Sequence, residues 1–154
     1  MTDQTWAGCI VPDDLLYDVA CDVWVRREDD EVVLGMTDVA QTASGRLVQI
    51  TWLRVGRTVD RHRPLAAIES AKWVGPFPTP LSGVLVAVNA QAFGRDIAVA
   101  NRDPYGAGWL ARVRPTRWEQ EAGLLVDGRQ AFEHYRQVIA ERKITCFRCA
   151  EQTR

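Results

Sequence analysis

The chain has 154 residues, 47% of them apolar, and a formal net charge of −1. That length suits one domain able to bury roughly 70% of its unfolded surface. No apolar run approaches the ~20 residues of a helical bilayer span, and the charge excludes a partner held mainly through phosphate contacts. Neither a nucleic acid nor a membrane is therefore expected as a partner.

Residues 1–5 lack a basic segment followed by an apolar one, so a cytoplasmic protein is expected. On that reading Cys9, Cys21, Cys146 and Cys149 are reduced thiols rather than a disulfide framework. Residues 23–26 and 31–35 read as two strands around the acidic turn 28–30, and 37–41 as one helical turn. An internal repeat follows at an offset of 38 residues. Residues 44–50 match 82–88, and 55–59 match 93–97, with Ser, Gly, Leu, Val, Gly and Arg identical between the copies. Each copy reads as β structure, with Gly56 and Gly94 suited to tight turns. Two such units, too small to stand alone, can pack face to face as a sandwich or flattened barrel about a pseudo-twofold axis.

The segment joining the copies is then exposed at one end, and it holds an unusual residue. Of the 19 basic residues only Lys72 and Lys143 are lysines. An amine kept where arginine is the habit matters, because an amine can be acylated whereas a guanidinium is a poor nucleophile. Residues 65–73 enter as a strand. Residues 75–80 lead back out, with three prolines that cannot belong to a central strand and that stiffen the path. Beyond the second copy, residues 118–142 read as a loop or broken helix that becomes regularly helical from Phe132. The chain thus divides into one domain over 1–142 and a tail over 143–154, loosely held from residue 145 and carrying Cys146-x-x-Cys149.

Four strings in order resemble a known family. Gly35-Met36-Thr37-Asp38-Val39-Ala40-Gln41, Glu69-Ser70-Ala71-Lys72, Pro80-Leu81-Ser82-Gly83 and Asn101-Arg102-Asp103-Pro104-Tyr105-Gly106-Ala107-Gly108-Trp109 are similar to the signatures of the glycine cleavage H proteins, and more broadly of biotinyl/lipoyl carrier domains. The resemblance covers about residues 10–138. It implies a mainly β, hybrid barrel-sandwich fold of two pseudo-symmetric units with a C-terminal helix. It also implies a carrier rather than an enzyme, with lipoate joined to Lys72 as an amide. Glu69, Ser70, Ala71 and Trp73 would help a lipoate–protein ligase or other lipoylating enzyme read the hairpin. Biotinyl domains flank their lysine with methionine, whereas here the neighbours are Ala71 and Trp73.

The departures point to a subgroup. The family usually has a small residue after the lysine and an aspartate shortly beyond, whereas here Trp73-Val74-Gly75-Pro76 follows. The family's His-x-Trp-Val-Arg becomes Asp22-Val23-Trp24-Val25-Arg26. These features resemble the lipoate-binding proteins of heterodisulfide-reductase-like sulfur oxidation, which implies such a complex as partner. The alternative is a glycine cleavage H protein that carries an aminomethyl group among the glycine cleavage enzymes. Cys146 and Cys149 have the spacing of a redox pair or of half a zinc site, for which Cys9, Cys21, His62 and His134 are the other soft ligands. His62 and His134 read as surface or half-buried residues rather than ligands, no metal site is expected, and Arg54, Arg57, Arg61 and Arg63 read as a solvated face. An unmodified scaffold of the same fold remains a further reading.

Overall fold

The computed structural model describes residues 3–147. The chain opens with β1 (Gln4–Trp6), β2 (Cys9–Val11), β3 (Leu16–Asp18), β4 (Val23–Glu28) and β5 (Glu31–Met36). Helix α1 (Asp38–Ser44) leads into β6 (Leu47–Trp52), β7 (Thr58–Val59), β8 (Pro64–Ser70), β9 (Val74–Pro78) and β10 (Gly83–Val88). Two short helices, α2 (Ala90–Arg95) and α3 (Val99–Arg102), precede β11 (Ala111–Pro115) and α4 (Trp118–Glu121). A 3-10 turn, β12 (Val126–Asp127) and α5 (Gly128–Arg142) complete the described chain. Among the described residues no helix is long and apolar enough to cross a membrane.

Strands assemble as a seven-stranded sheet in the order β12-β3-β4-β5-β11-β10-β7, a three-stranded sheet β6-β8-β9 and the small pair β1-β2, with antiparallel pairing. The two-residue period of a strand decides what each face buries. In β4 and β5, Val23, Val25, Val32, Leu34 and Met36 join Leu47, Leu65, Ile68, Phe77, Leu85 and Val113 in the core between the two larger sheets. The alternate residues Trp24 and Val33 face the other way, into a second core with Tyr17, Ala131, Tyr135 and Ile139. These central strands are therefore apolar on both faces. This is the hybrid sandwich with a C-terminal helix that the sequence predicts.

Helix α5 covers that second face. Ala131, Tyr135 and Ile139, spaced i, i+4, i+8, are its buried stripe, and full burial of a residue such as Ile139 contributes on the order of 1.5–3 kcal/mol. Its start is fixed by a capping box: Asp127 accepts from the Gln130 backbone at 2.9 Å while Gln130 accepts from the Asp127 backbone at 3.1 Å. Beneath α5, the Trp24 ring lies flat on Gly35 of the neighbouring strand, where a Cβ would sit 2.5 Å from the indole. The buried Trp24 indole N–H donates to the Pro104 carbonyl at 2.9 Å.

Three expectations need correction. The repeat holds only over its first half: residues 47–50 and 83–88 are strands β6 and β10, on opposite sheets. Residues 55–59 form a turn and β7, with Gly56 at φ +98°, but 93–97 fall in and just after helix α2. Ala90, Gln91 and Ala92 favour helix, and α2 runs through them to Arg95, so Gly94 sits in the helix rather than at a turn. Cys9 and Cys146 are not free thiols but form a disulfide. The 145–147 stretch is not a loose tail. Cys146 is buried, its backbone N–H donates to the Ala7 carbonyl at 2.9 Å, and the Phe147 carbonyl accepts from Gln41 at 3.1 Å.

Candidate functional site

Strands β8 and β9 form the hairpin, and β9, with its prolines, is the edge of its sheet, where a missing backbone donor is tolerated. The turn at 71–73 places Lys72 in solvent, together with Ala71 and the outward-facing Glu69 beside Gln49 and Val74. Ser70, 6% exposed, builds that turn. Its backbone N–H donates to the Trp73 carbonyl at 2.8 Å, its hydroxyl donates to the Ser44 carbonyl at 2.5 Å, and the Lys72 backbone N–H donates back to that hydroxyl at 3.3 Å. One short side chain thus closes the hairpin and fastens it to the end of α1.

A buried polar floor lies under this junction. The Asn101 side chain, in α3, is 1% exposed. Its oxygen accepts from the Leu47 backbone at 3.0 Å, and its amide donates to the Gly45 carbonyl at 2.9 Å and to the Gln41 side chain at 3.2 Å. Gln41 in turn donates to Asp38 at 2.8 Å, and Asp38 accepts from the Ile10 backbone at 2.8 Å. The Asp38 backbone N–H donates to the Tyr105 hydroxyl at 2.9 Å, which donates to the Ile10 carbonyl at 2.6 Å. Helix α1 itself starts at Thr37, whose hydroxyl caps the Ala40 N–H at 3.1 Å. Gly45 ends it at φ +81°, ψ −173°, a region essentially reserved for glycine. The Lys72 stem rests over Gly45, its Cε 2.9 Å from where a Cβ would stand.

Trp73, 40% exposed, lies against Gly75 and walls a cavity of about 270 Å³ whose other lining includes Cys21, Ala40, Ser44, Ile68 and Phe77. The site therefore offers an amine on a fixed turn with an apolar hollow beside it. An acyl group fits here, since Lys72 is exposed and amide formation removes a charge that makes no ion pair among the described residues.

The structure brings Glu69, Ser70, Ala71, Lys72 and Trp73 together on one hairpin. It does not bring Cys146 there. Cys146 is bonded to Cys9 in the second core, and Cys149 lies outside the described residues. His134 packs edge-on against Tyr135, their centroids 5.2 Å apart. Arg54, Arg57 and Arg63 are solvent-facing, but Arg61 turns inward to Asp18. Sequence reasoning quoted Asn101, Gln41 and Asp38 within motif strings without giving them this role. No local signal marks it, since Asn101 is followed by Arg102 and Asp103, and Asp38 and Gln41 stand beside Thr37 and Thr42.

The family model described as glycine cleavage H-protein matches residues 15–138. Glycine cleavage system H protein 3 of Aquifex aeolicus is 41% identical over 152 residues, covering 96% of this chain and 94% of that protein. The probable glycine cleavage system H protein 2 of Sulfolobus acidocaldarius is 39% identical over 145 residues, covering 92% and 96%. The crystal structure of a glycine cleavage system H protein from Mycobacterium marinum superposes with a TM-score of 0.70 at 34% identity, covering 81% of this chain and 98% of that one.

Proposed function

This chain belongs to the glycine cleavage H-protein family, whose members carry lipoate bound covalently to a lysine and are not themselves enzymes, and from that premise we propose that Lys72 is the lysine that bears it. One observation supports the choice over Lys143. Lys72 stands on a strand hairpin whose turn is held by Ser70, whereas Lys143 ends helix α5 in a left-handed conformation. When bound, lipoate supplies a pair of sulfurs that can take up and release a fragment or electrons. The chain's own residues present, orient and shelter. Ser70 sets the direction of the amine, Gly45 leaves room for the lysine stem, and Trp73 walls the adjoining cavity. Glu69 is the exposed charge that a lipoylating enzyme can read, while Ser70 acts through the shape it gives the turn.

The relatives' names favour the glycine cleavage enzymes as partners, and with them the aminomethyl cargo that the family resemblance implies. A second reading, a cytoplasmic carrier for a heterodisulfide-reductase-like complex in sulfur oxidation, rests on the hairpin itself. There the bulky Trp73 and the proline-stiffened return strand replace the small residue and aspartate usual after the lysine. Intact-mass analysis of protein from its native host tests the attachment: a lipoyl-sized gain located at Lys72 and absent from Lys72→Arg is expected, and a gain at Lys143 or none at all refutes it. Reconstitution separates the cargoes. Glycine-dependent carbon dioxide exchange with glycine cleavage enzymes supports the first, and its absence together with electron transfer to the heterodisulfide-reductase-like complex supports the second.

A further inference from the structure

One cluster lies beside the carrier site and shares only Cys21 with the lining of its cavity. Asp18 ends β3, Cys21 lies three residues on in the loop to β4, and His62 lies in the loop between β7 and β8, far from both in sequence. A carboxylate oxygen, a thiol sulfur and an imidazole nitrogen from these three residues all fall within 4.8 Å of one another. The Asp18 side chain is only 4% exposed, and one of its oxygens accepts from the Ala20 backbone at 3.1 Å, which fixes its direction. The other meets His62 Nε2 at 2.7 Å. His62 is itself held by its backbone N–H, which donates to the Thr79 carbonyl at 2.6 Å, and by a left-handed φ of +71°.

We propose that Asp18, Cys21 and His62 form a three-ligand site for a thiophilic divalent cation of the zinc class, with the fourth position open. Ligands on a tetrahedral ion, bonded at about 2.0–2.3 Å, stand about 3.3–3.8 Å apart, so small rotations suffice: the Asp18 oxygen and His62 nitrogen, 2.7 Å apart, open by about 1 Å to admit the ion, and atoms up to 4.8 Å apart close by about as much. Sulfur with imidazole and carboxylate is the donor set such an ion prefers. Burial, then the Asp18 charge, pushes the Cys21 thiol up, so without an ion the sulfur stays protonated. Binding breaks the S–H bond, forms a metal–sulfur bond and releases one proton to solvent, with no electron transferred. Arg61 is the competing cation. Its guanidinium lies 3.5 Å from the same Asp18 oxygen, yet its Nε is buried without a hydrogen-bond partner among the described residues. That arginine is poorly satisfied where it stands and has solvent to move into.

Titration of the full chain with cobalt(II) alone, with the Cys9–Cys146 bond intact, tests the site. One equivalent should bind with a thiolate-to-cobalt charge-transfer absorption, displaced by zinc. Cys21→Ser should abolish the absorption and Cys149→Ser should leave it. His62→Ala should weaken binding by at least the ~10–100-fold typical of supporting residues. Arg61→Gln, by removing the competing charge, should tighten it. Far-UV circular dichroism of each variant checks the fold, and His62→Ala, on an exposed loop, serves as the readout if Cys21→Ser does not fold. No charge-transfer absorption at millimolar cobalt overturns the proposal, as does an absorption that survives Cys21→Ser or is lost with Cys149→Ser.

Discussion

Replacing Asn101 with alanine removes the floor under the lysine hairpin, and the structure gives the size of the effect. The Leu47 N–H loses its acceptor at a residue only 1% exposed, and stranding a buried donor costs about 1–3 kcal/mol. Two donations from the amide, to Gly45 and Gln41, go with it, each worth about 0.5–1.5 kcal/mol net. The Gly45 carbonyl is half-buried and can be rehydrated, so the sum falls near 3 kcal/mol. For a domain of this size each kcal/mol moves the melting temperature by roughly 2–4 °C, and a fall of about 6–12 °C is expected by thermal circular dichroism. Asn101→Asp sharpens the test. It keeps the acceptor for Leu47 but replaces the donating amide with a carboxylate oxygen that faces the Gly45 carbonyl and the Gln41 side-chain oxygen, so at neutral pH it should be at least as damaging as alanine. A melting temperature within about 2 °C of the parent for Asn101→Ala, or an aspartate variant milder than the alanine one, refutes the reasoning.

Gly45→Ala should lose about 1–3 kcal/mol, because only glycine is at ease at φ +81°, ψ −173°, and should slow lipoylation in vitro by pushing the Lys72 stem aside; unchanged melting and modification would contradict both. Burial raises the Asp22 carboxyl above its ordinary value, opposed by the Tyr135 hydroxyl that donates to it at 3.0 Å. A raised folded value means that the contribution to stability is present at low pH, below the unfolded value, and is lost as the pH rises through the folded one. Asp22→Asn, which tolerates the residue's φ of +58°, should therefore be more stable than the parent at neutral pH, with the gain shrinking as the pH falls into the ordinary carboxylate range. Urea midpoints across pH measure this, and a pH-independent difference would count against it. The double variant Cys9→Ser, Cys146→Ser opens a loop with a sequence separation of 137 and should lower stability by about 2–4 kcal/mol. Denaturation of the parent with and without a reductant gives the matching control, and a midpoint that moves in neither case removes the disulfide from the account.

The parts of this molecule written locally could be read locally. Residues 37–41 read as a helical turn, and the structure has α1 there, capped by Thr37. The run 65–70 and the prolines at 76, 78 and 80 announce a strand and a return path, and the structure makes them a central strand and the sheet edge. What escaped depends on residues distant in sequence. Nothing near Cys9 or Cys146 indicates that each finds the other. Asn101 stands in a recognisable string, but its partners come from α1 and β6, so its function as a floor exists only after folding. The second half of the repeat misled because matching apolar positions do not fix the backbone. Alanines at 90 and 92 turn the later copy into a helix despite the shared Gly-Arg pair.

The fastening of the 70–73 turn to α1, and through Asn101 to β6, has a mechanical consequence. A swinging-domain carrier gains reach from a slack tether, but nothing here unwinds between the lysine and the body of the protein. A group joined at that nitrogen explores only the small sphere its own single bonds allow. Such confinement raises its local concentration wherever it is presented and leaves the approach of the two macromolecules, rather than the sweep of an arm, as the step that selects where the cargo goes.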